Sequence, residues 1–241
     1  MHLRIPLFLL FVATLGCPTG SARDFEGFRA LLDQKWPQNR TVNVVFHGHS
    51  VPAGYQVTPD VRTFEAYPHG FHVQLKRLYP YAVVNVIVTA IGGEDSISGA
   101  ARFERDVLSL NPDLLFIDYA LNDRRQPLDA VEAAWTKMIL LAKSHQIPLV
   151  LVTPTGDSKA NLSNPNDPLH QRCALIRRLA ATHNTGLADV SAAWLAELAK
   201  GTPQETLLSQ HNHPNLRGHQ IATAELVRAV FPNSAASSET R

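Results

Sequence analysis

Ser50 and His213 are the side chains whose type and placement in this chain point most directly to chemistry. Ser50 closes the run Gly48-His49-Ser50, directly after the apolar stretch Val42-Asn43-Val44-Val45-Phe46, so it sits on the turn leaving a first strand. His213 lies far downstream in the polar run His211-Asn212-His213-Pro214-Asn215. A hydroxyl that attacks a carbonyl needs a base, a group that orients the base, and donors for the oxyanion that forms. Gly92-Gly93-Glu94 follows a second strand and Asn122-Asp123 a third. The backbone N–H groups of Ser50 and Gly93 and the side-chain amide of Asn122 are the candidate donors. Taken singly, each has an ordinary reading: a serine or glycine of a turn, an asparagine cap, a structural histidine.

Those residues are dispersed, so the elements between them must bring them together. Strands are expected at 42–46, 83–88, 113–118, 148–153 and 187–190, all short and nearly continuously apolar, as in parallel strands covered on both faces. Helical patterns run over 24–36, 62–78, 97–110, 128–145, 169–184, 191–200 and 216–230. The alternation predicts an α/β fold, a three-layer α/β/α sandwich with right-handed crossovers around a sheet of about five strands. Ligands of such sheets bind beyond the carboxyl ends of the strands, and every candidate residue falls just past a strand or in a late loop. The polar segment 154–168 lies on the same side and reads either as a substrate-contacting loop or as a surface connection.

The chain has 241 residues, 45% of them hydrophobic and 18% charged, with a formal net charge of +1. That composition fits one large domain over 23–232, and near-neutral charge without a basic stripe argues against a nucleic-acid partner. Residues 1–22 read as a signal peptide. His2 and Arg4 precede Leu7-Phe8-Leu9-Leu10-Phe11-Val12, and Gly20-Ser21-Ala22 forms a small-x-small cleavage site. The expectation is export, to the periplasm or outside the cell, with no membrane span. Leu15-Gly16-Cys17 matches part of a lipobox, but Thr14 stands where a branched apolar residue is preferred, so lipidation is the lesser reading. Cleavage at Ala22 leaves Cys173 as the one cysteine, within the helical pattern Leu169, Ile176, Leu179, and it reads as core. The tail 233–241 (NSAASSETR) is expected to be disordered.

Gly48-His49-Ser50, Gly92-Gly93-Glu94, Ala120-Leu121-Asn122-Asp123 and His213-Pro214-Asn215 together resemble the sequence blocks of the SGNH (GDSL-type) hydrolases, in the right order. The resemblance extends over most of 40–230. It implies a flavodoxin-like sheet and an exposed serine esterase site that needs no cofactor and no metal. It further implies Ser50 as nucleophile, His213 as base, and Gly93 and Asn122 completing the oxyanion hole. Acting on a small-molecule or carbohydrate ester follows from the same likeness, with short acyl groups, acetyl above all, as the cargo. The chain departs from the family at three places. His49 replaces the aspartate of Gly-Asp-Ser, and Ala120 replaces a glycine. Gln210 stands three residues before His213, where the family has its triad aspartate. A Ser–His dyad is therefore expected, with Gln210 or a backbone carbonyl orienting the base. Glu94 and Asp123 are expected to be structural.

Two rival readings remain open at this level. His47-Gly48-His49 and His211-Asn212-His213 are His-x-His pairs of a kind that can bind zinc. A degenerate relative that binds carbohydrate without cleaving it would also account for Gln210 and Ala120. The sequence leaves the oligomeric state undetermined.

Overall fold

A computed structural model describes residues 25–232. The expected leader at 1–22, with Cys17, and the expected tail at 233–241 lie outside the described residues.

Five parallel strands form the centre: β1 (Thr41–Gly48), β2 (Val83–Val88), β3 (Leu114–Asp118), β4 (Leu149–Val152) and β5 (Gly186–Ala188). Their order is β2-β1-β3-β4-β5, the flavodoxin-like arrangement. Because successive side chains of a strand point to opposite faces, each strand feeds both layers. Val44, Phe46, Leu114, Phe116, Val150 and Val152 point to one core, whereas Val45, Leu115, Ile117, Leu149 and Leu151 point to the other.

The first core is covered by α1 (Glu26–Asp33), α3 (Tyr67–Leu78), α8 (Val190–Ala199) and α9 (Leu216–Val230). At its centre Phe46 stacks on Phe116 with centroids 4.5 Å apart, and Phe71 meets both edge-on. Fully burying one such ring contributes about 1.5–3 kcal/mol. The second core is covered by α4 (Ser96–Asp106), α6 (Leu128–Ser144) and α7 (Pro168–Thr182). Cys173 is buried on α7, where desolvation pushes its thiol up to about 11, so it behaves as a core residue.

Helix starts follow local chemistry. Asp95, Asp167, Asp189 and Asn215 each accept backbone N–H groups of the helix that follows them. Losing such a cap typically costs about 1 kcal/mol.

Three elements differ from expectation. The helix expected over 62–78 is a 3₁₀ turn at Thr63–Glu65 followed by α3, whose start is set by Pro68 in its first turn. The one expected over 97–110 ends at Asp106 and finishes as a 3₁₀ turn, closed by Asn111 at φ 47° ahead of Pro112. Residues 208–214, for which no strand was expected, form an antiparallel hairpin of β6 (Leu208–Gln210) and β7 (His213–Pro214). Strands of two or three residues leave no periodicity to read. Among the described residues, no helix is long and apolar enough to cross a membrane.

Candidate active site

The carboxyl end of β1 leads straight into a single helical turn, α2 (Ser50–Ala53). Gly48 makes that junction possible. A Cβ there would lie 2.5 Å from the Asp118 carbonyl oxygen at the end of β3, its register partner. Gly54 closes the turn with φ +95°, a conformation that suits glycine. Ser50 thus occupies the first helical position, just beyond the sheet.

His213 arrives from the opposite end of the chain on the β6–β7 hairpin. Its Nε2 is 3.0 Å from Ser50 Oγ. Its Nδ1 is 2.7 Å from the carbonyl oxygen of Gln56, an acceptor that can only receive a proton. The neutral ring is therefore protonated on Nδ1 and presents a lone pair on Nε2 to the serine O–H. Burial lowers the His213 pKa below its ordinary value, and the Gln56 carbonyl offsets part of that shift. The ring of Tyr55 lies beside it, centroids 6.0 Å apart.

Gln210 does not take the orienting position considered for it. Its Oε1 accepts from the backbone N–H and the hydroxyl of Thr58, at 3.3 and 3.1 Å. The carbonyl of Gln56 stands behind the imidazole instead. No side-chain pattern could have revealed this, because every residue carries a carbonyl and only the path of the 55–62 loop brings this one to His213.

Gly93 adopts φ +80° in the exposed turn after β2. That turn is anchored to the site at two points. Ile91 N–H donates to the Gly48 carbonyl at 3.0 Å, and the Asn122 amide donates to the Glu94 carbonyl at 2.9 Å. Asn122 lies on the one-turn helix α5 (Ala120–Asp123) at the end of β3. The amide and the Gly92-Gly93-Glu94 turn are thereby held together at one end of the sheet.

The expectation of an exposed site needs correction. Ser50 is 6% exposed and His213 7%. Both are buried side chains rather than groups on an open ledge, at the place where α2 meets β7.

Acidic and cationic groups near Ser50 and His213 hold structure. Asp123 accepts from Ser96 N–H and the Trp135 indole, each at 2.7 Å, and burial raises its pKa to about 6. The Glu94 carboxylate pairs with Arg102 and accepts from the Tyr119 hydroxyl. Asp157, fully buried in the 154–168 segment, pairs with Arg124, and Ser158 N–H donates to the His211 carbonyl at 2.7 Å. This segment therefore packs beside the hairpin that carries His213, a role its polar composition alone left undecided.

Of the two His-x-His pairs, His49 and His213 both approach Ser50, whereas His47 points away from it. His47 lies against Thr89 Oγ1, the Gly99 carbonyl and the Tyr119 hydroxyl, and burial lowers its pKa to about 4. Among the described residues, no three His, Cys, Asp or Glu side chains gather in a way that could hold a metal ion.

Comparison with known proteins agrees with this fold. The chain is 25% identical over 172 residues to an acetylxylan esterase of Geobacillus stearothermophilus, covering 65% of this chain and 76% of that one. A solved variant of the acetylxylan esterase Axe2 from the same organism superposes with a TM-score of 0.69 at 23% identity, over 79% of this chain and 94% of that one. LAE5, an alpha/beta hydrolase from the metagenome of Lake Arreo, Spain, superposes at 0.67 with 20% identity, over 82% and 97%. The model of the GDSL-like lipase/acylhydrolase family matches residues 46–221, most of the chain, and this protein belongs to that family of carboxylic ester hydrolases.

Proposed function

We propose that this protein is an exported serine esterase that removes short acyl groups, acetyl above all, from carbohydrate through an acyl-serine intermediate. The observation that carries the reading is the 3.0 Å approach of His213 Nε2 to Ser50 Oγ, with the far ring nitrogen fixed on the Gln56 carbonyl. In this reading Ser50 Oγ attacks the ester carbonyl while His213 takes its proton. The backbone N–H groups of Ser50 and Gly93 and the amide of Asn122 receive the oxyanion. His213 then gives the proton to the departing alcohol. A water activated by the same ring releases the acid and restores the serine.

The base works here without a carboxylate behind it. Charge-assisted hydrogen bonds are roughly twice as strong as neutral ones. A carbonyl partner fixes the tautomer but supports the imidazolium less than an aspartate would. The expected enzyme is a slower dyad rather than a full triad.

The carbohydrate substrate is supported by the acetylxylan esterases among the relatives. Export is supported by the charged start, apolar middle and small-residue site of residues 1–22. The test is turnover of p-nitrophenyl acetate and of acetylated xylo-oligosaccharides by the purified protein. Activity on both, abolished by Ser50→Ala, is expected. No acetyl release from either would overturn the reading and favour a carbohydrate-binding relative. Expression of the full chain should yield a mature protein beginning at Arg23.

A further inference from the structure

A second imidazole abuts Ser50. His49 is 1% exposed, and its Nδ1 lies 3.5 Å from Ser50 Oγ while accepting the Val51 N–H at 3.3 Å. A ring nitrogen that accepts carries no proton, so the hydrogen of the neutral ring is on Nε2. Nε2 faces Asp118 Oδ1 at 3.4 Å, an ion-pair approach rather than a formed hydrogen bond, and neither of these buried atoms has a hydrogen-bond partner. The other carboxylate oxygen of Asp118 accepts the Tyr67 hydroxyl at 2.7 Å. A carboxylate this deeply buried is costly unless it is paired and hydrogen-bonded. Gly48 brings the turn down onto the end of β3, which sets the imidazole over that carboxylate.

We propose that His49, steered by Asp118, is a positioning residue for the nucleophile, giving Ser50 the carboxylate-backed support that His213 lacks. The inference rests on the reading of Ser50 as nucleophile. The Val51 N–H on the bare Nδ1 sets the tautomer, and Asp118 stands against the opposite, N–H-bearing edge of the ring. That contact fixes the Ser50–Val51 peptide and the first turn of α2, and so the aim of Ser50 Oγ toward His213. An aspartate at position 49 could also accept the Val51 N–H, but it would set two carboxylates against one another. The histidine and Asp118 therefore belong together.

The test compares two substitutions. Asn at position 49 keeps an acceptor where Nδ1 stands, and Ala removes it. His49→Ala is expected to lower kcat on p-nitrophenyl acetate about 100-fold, the scale of a 1 Å misplacement, with KM changed less than about threefold. His49→Asn should recover at least about tenfold of that loss. Equal activities in the two variants, or losses that merely follow the folded fraction, would overturn the proposal. Nitrogen-15 spectra of the wild-type imidazoles supply a readout independent of turnover. A neutral His49 protonated on Nε2 supports it, and a ring protonated on Nδ1 overturns it. Labelling of Ser50 by a fluorophosphonate separates this inference from the one beneath it. A wild type that is neither labelled nor active removes both, whereas a His49→Ala variant labelled as fast as wild type removes only this one.

Discussion

The Nδ1 of His213 and the carbonyl oxygen of Gln56 lie 2.7 Å apart, so the group behind the proposed base is neutral and belongs to the backbone. The position three residues before the histidine, where an aspartate is expected, is occupied by a glutamine whose oxygen serves Thr58.

Gln210→Ala should change kcat by no more than about twofold, the scale of a surface substitution. A fall of 100-fold would show that Gln210 acts on His213 in solution. Steady-state kinetics on p-nitrophenyl acetate decide between the two.

Asn122→Ala removes an expected oxyanion donor and the tie to the Glu94 carbonyl. Loss of one such donor lowers kcat by about 10²–10³-fold. The same variant should bind substrate with little change in KM. An equal rise in KM at constant kcat would assign Asn122 to ground-state binding.

Gly93→Ala tests the turn separately. A Cβ there meets nothing within 4 Å, so the substitution adds no clash. It does impose φ +80° on a residue with a side chain, at a cost of about 1–2 kcal/mol. A modest drop in melting temperature and a larger drop in kcat are expected, as the strained turn shifts its N–H. Unchanged kcat would remove Gly93 from the oxyanion hole.

The pH–rate profile follows from the environment of His213. The base must be neutral to accept the serine proton, and burial lowers its pKa. The ascending limb of kcat/KM should therefore lie below the ordinary histidine value of 6.5. A midpoint at or above that value would contradict the burial and the missing carboxylate alike.

Stability should fall in acid for a related reason. His47 and His219 are buried as neutral rings, with pKa values lowered from 6.5 to about 4 and about 3. Between those values and 6.5 the unfolded chain binds protons that the folded chain does not. Their contribution is fully present above 6.5 and is lost as pH falls toward the folded values. Asp123, raised from 3.8 to about 6, acts in the opposite direction and favours the folded state as pH falls through that range. The two histidines span the wider window, so chemical denaturation at pH 4 should give a lower unfolding free energy than at pH 7. His219→Gln should flatten that difference.

Much of this protein was determined by the sequence alone. Apolar runs of four to six residues with helical patterns between them identify a parallel sheet, because such strands must be covered on both faces. The order of Ser50, Gly93, Asn122 and His213 marks the strand ends that carry the site, since chain order and crossover handedness leave few arrangements. The β6–β7 hairpin, the carbonyl of Gln56 behind His213 and the His49–Asp118 contact were decided by tertiary structure. The hairpin strands are too short to carry a periodicity, and the other two contacts join groups distant in the chain, one of them a backbone atom that every residue possesses. Local pattern records a residue's preference for helix, strand or burial. It holds no information about which neighbour a buried imidazole will find, and that depends on how the loops pack over the sheet.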